Sequence, residues 1–531
     1  MFARHWRNMG PLPPEGHLAA RRIPMTVKRL ARTARKRVLL VVGLALCQSL
    51  VQAQAAPTQE MIVVDANAPA TPFPHFWEQM FGSGRAILAL RESYRRDLRE
   101  AVDITGFRYV RFHAIFHDEV GIYDEDSQGQ PIYNFSYVDQ IYDGLLAEGV
   151  RPFVELSFMP NKLATSSVLH SFWYKPNISP PKDWSKWDGL ITAFVSHLVA
   201  RYGIDEVSGW YFEVWNEPNL DFWAGEPKQA SYWELYDHTA RALKAVSPRL
   251  RAGGPATAQA AWVGDFIQHC VGSHVPVDFV STHIYGDDPP LGVFGTNAAI
   301  PRDQMVCRAA RKVRSEIQSS ARPQLPLILS EFNATYRNDP NITDSVFMGP
   351  WLAETIEQCD GLTEMMSYWT FSDVFEEQGV VKTPFYGGYG LIAEDGIPKP
   401  AFNAFRLLHK LGSKRIAIDA NSVIVTRTDD RKLVLALWNY SSPGEQGSPK
   451  SISLKFESTR AETARIWELG PDHGNVQPAY KNMGAPTYLT SAQIRELQAA
   501  AELPPPAISS LLDGKLTLTL APHSLAVIEV E

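Results

Sequence analysis

Cysteine is scarce in this chain, and the spacings that hold metals are missing. The 531 residues include four cysteines. No HExxH, paired CxxC or EF-hand loop occurs, so neither a catalytic metal nor another cofactor has support in the sequence. If Cys47 leaves with the N-terminal segment discussed below, Cys270, Cys307 and Cys359 remain. That odd, sparse set is no disulfide framework; it allows one bridge without indicating which pair forms it. A strong charge of one sign is also lacking. The formal net charge of -7 is mild for the length and argues against a nucleic-acid surface. No GxSxG elbow appears, which weakens a serine-esterase reading. Gly82 and Gly84 form a GxG pair without the rest of GxGxxG, which reads as a tight first turn rather than a nucleotide loop. Internal repeats and long low-complexity tracts are absent.

What is present begins at the N-terminus. Arg32, Arg35, Lys36 and Arg37 precede an apolar run, Val38 to Leu46, that is short for a bilayer. Ala53-Gln54-Ala55 then supplies small residues at cleavage spacing. These features predict a signal peptide with an upstream basic segment over residues 1–55, with an anchor helix as the alternative, and hence a periplasmic or secreted protein with no membrane association after processing. Met25 is an alternative start. Leu46 is too bulky to make Cys47 a lipidation site.

Hydrophobic residues make up 45% of the chain, enough for large cores, and aromatics reach 11% with 14 Trp. Some of these rings are candidates for stacking on sugar C–H faces; the rest are core. From about 78 to 410, short apolar runs alternate with helical patterns, such as Arg91–Ile104, Trp187–Tyr202 and Ala230–Val246. Eight strands are read at 80–83, 109–116, 151–158, 210–217, 250–256, 278–285, 325–333 and 365–373. Such alternation predicts a parallel sheet, and eight units over this length predict an α/β fold closed as a (β/α)8 barrel, assigned to residues 56–410. After Leu411 the texture becomes strand and turn, with one helical insertion at 491–503 ending in Pro504-Pro505-Pro506. Residues 411–531 are therefore read as an accessory β-sandwich, with the early strand near 61–65 a candidate to join it.

Polar residues gather at the C-terminal ends of the apolar runs, where a barrel holds its active site. Trp215-Asn216-Glu217-Pro218-Asn219 closes the fourth run, and Ser330-Glu331-Phe332-Asn333 closes the seventh. Strands four and seven lie roughly across the barrel, so both carboxylates can face one cavity. Cleavage of a glycosidic bond needs such a pair, one protonated to assist departure and one ionised to attack. A shared pocket separates their pKa values, since neighbouring like charges resist joint ionisation. The expected carboxyl separation is about 5–5.5 Å, the retaining spacing. For Glu217 the alternative is a helix-capping carboxylate.

Other candidates surround this pair. Arg111 and His113 share one face of strand two; Arg111 is placed to keep Glu331 ionised, or else to form a structural ion pair. His283 and Tyr285 end strand six, Tyr285 as a hydrogen-bond partner of Glu331 and His283 as a substrate contact. Trp369 on strand eight is either a stacking floor for the sugar or core. Phe158 and Trp173 are candidates for the entrance, and Gly387-Gly388 for a loop near the site.

These motifs resemble glycoside hydrolase family 39, in the clan of barrels with the acid/base on strand four and the nucleophile on strand seven. The resemblance runs through Phe81-Gly-Ser-Gly84, Tyr109-Val-Arg-Phe-His113, Trp215 to Asn219, Thr282-His-Ile-Tyr285, Ser330 to Asn333 and Pro398 to Phe405. It implies Glu217 as acid/base, Glu331 as nucleophile and Asn216 as the ligand of the sugar 2-hydroxyl. It further implies an exo-acting β-xylosidase that takes small oligosaccharides, or the same machinery serving an α-L-arabinosidase, an α-L-iduronidase-like enzyme or an endo-glycanase. A uronate would require a cation near its carboxylate, and none is located. A non-catalytic sugar-binding barrel is the reading from another class. Oligomeric state is not indicated.

Overall fold

A computed structural model of the chain describes residues 60–531. The segment read as a signal peptide, with Cys47, lies outside the described residues. Eight parallel strands close into a barrel: Met80–Gly82, Tyr109–Phe112, Arg151–Leu156, Tyr211–Val214, Arg251–Thr257, Phe279–Tyr285, Leu327–Asn333 and Met365–Tyr368. They match the eight apolar runs in order, with several runs continuing past the strand into the loop that follows.

The strands alternate with period two, as pleating requires. One set of side chains, including Phe81, Val110, Val154, Phe212 and Leu329, is buried in the core shared with the helices. The other set points into the barrel. Near the strand starts, Met80, Phe153, Tyr211, Phe279, Ile328 and Met365 fill its floor. Two residues further on come Gly82, Arg111, Glu155 and Glu213, all buried. The floor is thus apolar and the next layer charged, which puts the chemistry at the C-terminal face. Gly253 makes this packing possible, because a Cβ there would sit 2.5 Å from the Phe279 ring.

Local signals set the helix limits. Asp183 caps the helix Trp184–Tyr202 by accepting from the Ser185 amide at 2.9 Å. Gly106 ends Glu92–Thr105 with φ 64, a left-handed value that glycine tolerates. Among the described residues, no helix is long and apolar enough to cross a membrane.

The C-terminal region forms two sheets, of seven and three strands, around their own core of Val425, Leu435, Leu454 and Ile528. The strand Glu60–Asp65 pairs in parallel with Lys450–Glu457, and Ala70–Pro72 pairs with Lys414–Ile416. Residues 60–72 therefore lie in the sandwich rather than in the barrel that follows them. The insertion is a helix, Ser491–Ala501, opened by a Thr490 capping box.

Cys307 and Cys359 form a disulfide between the helices Arg302–Gln318 and Met348–Cys359, leaving Cys270 as a buried thiol. The sequence could not choose this pair because helical spacing does not record which residues of two packed helices face each other. The bridge spans 52 residues, so loop-closure entropy predicts a contribution of about 4 kcal/mol. Cys307→Ser with Cys359→Ser should lower the urea midpoint accordingly, and wild type in reductant should approach the same value.

Candidate active site

The fourth strand stops at Val214, and Trp215 and Glu217 both take left-handed backbone (φ 71 and 43). Such values in non-glycine residues mark a strained turn held by its surroundings. Here the Trp215 indole donates to the Phe222 carbonyl at 2.8 Å, and the Glu217 amide donates to the Ala256 carbonyl at 2.8 Å. Asn219 bridges to the next loop, exchanging two hydrogen bonds with the Ala258 backbone. The turn thus aims the Glu217 carboxyl, which is 12% exposed.

Glu331 comes from the seventh strand, and its side chain is 5% exposed. The His283 Nδ1 lies 3.0 Å from Glu217 Oε1 and 3.5 Å from Glu331 Oε1. Each glutamate offers an oxygen within 4.8 Å of one from the other. That places them on the short, retaining side of the two known spacings.

Their environments differ. Arg111 Nη1 donates to Glu331 Oε1 at 2.7 Å, and the Tyr285 hydroxyl donates to Oε2 at 2.6 Å. Burial raises the Glu331 carboxyl, while Arg111, His113 and the Tyr285 hydroxyl pull against it. Glu217 has one neutral ring nitrogen beside it, His283 Nδ1 at 3.0 Å: burial pushes its carboxyl well above the usual carboxylate range, the Glu331 and Asp288 charges push the same way, and Arg111 opposes them only in part. Burial, with the charges on Arg111 and His113, drives His283 well below its ordinary pKa and keeps it neutral. The pair therefore holds one proton by preference on Glu217.

The chain matches the sequence model of glycosyl hydrolases family 39 over residues 60–512. It belongs to that family. A β-xylosidase from Geobacillus stearothermophilus is 37% identical over 472 residues, covering 86% of this chain and 93% of the relative. A β-xylosidase from Caldicellulosiruptor saccharolyticus is 35% identical over 474 residues, covering 86% and 95%. The crystal structure of a monomeric β-xylosidase from Caulobacter crescentus CB15 superposes with a TM-score of 0.82 at 36% identity, over 89% of this chain and 99% of that one.

In this family 39 glycoside hydrolase, Arg111 is a hub. It is wholly buried and reaches Glu213 at 2.6 Å, Glu155 at 2.8 Å, Glu331 at 2.7 Å and Asn216 Oδ1 at 2.9 Å. Burial opposes its charge, but the three carboxylates outweigh that and hold it cationic. Because a guanidinium only donates, Asn216 must present its oxygen to Arg111. Its NH2 is thereby left for another acceptor. His113 donates through Nδ1 to Glu155 at 2.7 Å, and its Nε2 lies 3.5 Å from Glu377. Its pKa is raised: burial opposes the charge, and Glu155 and Glu331 overcome it.

Trp369 is buried, its ring 4.8 Å from that of His113 and 5.7 Å from the Arg111 guanidinium carbon. It forms an aromatic wall with Tyr285, Phe375 and Tyr389. Gly82 exists for this ring, since a Cβ there would lie 2.1 Å from Trp369 Cε3; a Cβ on Gly84 would lie 2.5 Å from the Val374 carbonyl. The GxG pair therefore serves close packing against the loop after strand eight, not a tight turn. Gly387 and Gly388 likewise allow close approach, to Asp339 and Asp373. Buried Lys399 binds Asp344, Asp373 and the Gly388 carbonyl, fixing that loop.

Two expectations change. His283 is fully buried against the glutamates, so it orients carboxylates instead of meeting substrate. Phe158 is buried too, packed edge-on against Trp215 at 5.5 Å, and is wall rather than entrance. Trp173 is 52% exposed and does sit at the rim, its amide bonded to the Glu377 carbonyl at 2.8 Å.

Glu155, Glu213 and Glu377 escaped the sequence reading. For the first two a signal existed: a glutamate inside Phe153-Val-Glu-Leu156 and inside Phe212-Glu-Val214, runs otherwise apolar. Glu377 carried no such signal. Burial pushes its carboxyl up to about 8, with Glu331 and Glu155 adding to the rise against His113. Its neighbour Glu376 pairs with Arg85 at 3.0 Å and Arg91 at 2.5 Å, tying this loop to the one after strand one.

Proposed function

We propose that this enzyme is an exo-acting β-xylosidase that releases xylose from short β-1,4-xylooligosaccharides with retention of configuration. The observation that carries the reading is the pair Glu217 and Glu331, within 4.8 Å through one oxygen each and in unequal surroundings. Glu217 donates its proton to the glycosidic oxygen as a Glu331 oxygen attacks the anomeric carbon and the C–O bond breaks. Glu217, now ionised, takes a proton from water, whose oxygen displaces Glu331 from the same face that the leaving group left. Asn216 donates its NH2 to the sugar 2-hydroxyl, and Trp369 supplies an apolar floor. His113 and Glu377 supply hydrogen-bond partners for ring hydroxyls.

Two features support a neutral sugar in a pocket. The cations there, Arg111 and His113, are already paired with carboxylates, and Glu377 adds another acid, which disfavours a uronate. The Trp173–Glu377 backbone bond joins the loops after strands three and eight across strands one and two, walling one side of the mouth. A mouth walled in this way suits removal of terminal units.

The deciding experiment is hydrolysis of p-nitrophenyl β-D-xyloside with NMR detection of the first-formed anomer. β-Xylose is expected; α-xylose would overturn the scheme. Arabinosides and iduronides in parallel test the specificity.

A second prediction concerns Glu217→Ala. Proton donation is worth about 10²–10⁴-fold, so xylobiose turnover should fall by that amount. Aryl xylosides with acidic leaving groups should lose far less in the first step. In wild type kcat/KM should fall as pH rises through the Glu217 pKa, since the donor loses its proton, and fall as pH drops through that of Glu331. Glu217→Ala should lack the alkaline limb.

Export rests on the N-terminal pattern alone. Protein recovered from expressing cells is expected to begin at Ala56.

A further inference from the structure

We propose that His75, Glu78 and His409 form a binding site for a divalent transition-metal ion of the zinc type, on the barrel face opposite the active site. His75 precedes and Glu78 ends a short helical turn, Phe76–Glu78, that leads into the first strand. His409 ends the last barrel helix, Pro400–Leu408. Both places adjoin the N-terminal ends of the strands, where the barrel seam closes.

The donors converge. His75 Nδ1 lies 2.6 Å and His409 Nδ1 2.8 Å from the same Glu78 Oε1, and the three donor atoms lie within 4.8 Å of one another. Glu78 is nearly fully buried (4% side-chain exposure), and its second oxygen, Oε2, has no hydrogen-bond partner. An unpaired carboxylate oxygen in a buried position calls for a further partner, and an ion held between the rings and Glu78 supplies one.

The site is also organised in advance. The His75 ring stacks on Trp77 with centroids 4.4 Å apart, and its carbonyl accepts from the Gln79 side chain at 3.1 Å. An open cleft of about 420 Å³, lined by Phe73, Pro74, His75, Ser413 and Asp429, gives access and room for water ligands.

Two imidazoles and one carboxylate suit borderline ions such as Zn²⁺, Co²⁺ or Ni²⁺, whereas Ca²⁺ and Mg²⁺ favour oxygen throughout. With the carboxylate accepting, each Nδ1 carries a hydrogen. Binding takes that hydrogen off Nδ1, leaves the ring hydrogen on Nε2 and turns the Nδ1 lone pair to the ion. The bound ion would clasp segments 331 residues apart in sequence.

The test is calorimetric titration of the full, tag-free chain with ZnCl2 after treatment with chelator, with thermal melting alongside. A second donor group, Glu217, His283 and Glu331, occurs in the active site, so the variants must separate the two. Wild type should bind one Zn²⁺ with a rise in melting temperature of about 2–4 °C. Glu331→Gln should keep both signals. His409→Gln, at a half-exposed position remote from Glu217 and Glu331, should weaken binding at least tenfold and abolish the rise, with xyloside hydrolysis unchanged. His75→Gln should behave alike. No Zn²⁺ binding by wild type, or binding that survives in His409→Gln, would overturn the proposal.

Discussion

Glu331→Ala should lose turnover of aryl xylosides by on the order of 10⁵-fold, the scale on which removal of a catalytic nucleophile acts. In the proposed scheme this side chain bonds the anomeric carbon, and alanine leaves a gap in its place. Azide or formate can enter that gap. Added azide should restore part of the rate and yield α-xylosyl azide, because a single displacement from the nucleophile's side inverts the β-glycoside. Glu217→Ala should yield the β-azide instead, since azide there attacks the glycosyl-enzyme from the opposite side. Product NMR separates the two outcomes. If both variants gave the same azide, or if Glu331→Ala kept near-normal turnover, the assignment of roles would fall.

Arg111→Met should be the most damaging change outside the glutamates. The guanidinium has no exposure and serves Glu155, Glu213 and Glu331 at 2.6–2.8 Å. Without it three carboxylates share a dry interior, and breaking a buried ion pair from one side costs about 3–5 kcal/mol. The carboxylates will respond by holding protons. For Glu331 the sign is clear: removing the cation raises its pKa, so the acid limb of kcat/KM moves to higher pH. Asn216 also loses the donor that orients its amide, which should weaken the contact to the 2-hydroxyl. Arg111→Lys restores charge without the fork of donors and should fall between the two in melting temperature and pH profile. A methionine variant with unchanged melting and an unshifted acid limb would show that the hub is not needed.

The barrel was legible because its signal is local and repeated. Each strand is a short apolar run, each helix a longer periodic stretch, and the eight units recur in sequence. The two key glutamates were legible for a related reason: each ends such a run, and strand ends point to one face of a closed barrel. Glu155 and Glu213 were harder to find. Nothing in the sequence says that an inward position one layer above the floor faces a guanidinium from strand two. Trp369 shows the same limit. Its role as wall depends on Gly82, 287 positions earlier, having no side chain.

By itself, then, the sequence determined the element order, the two carboxylates and their strands, because these depend on residue type and spacing along the chain. Tertiary structure alone decided which side chains meet. Arg111 finds Glu331 across 220 positions and Tyr285 finds it across 46. Cys307 selects Cys359, and the strand at 60–65 pairs with the one at 450–457. Such pairings follow from barrel closure and sheet register, which bring distant segments within bonding distance, and no local pattern of residues records that distance.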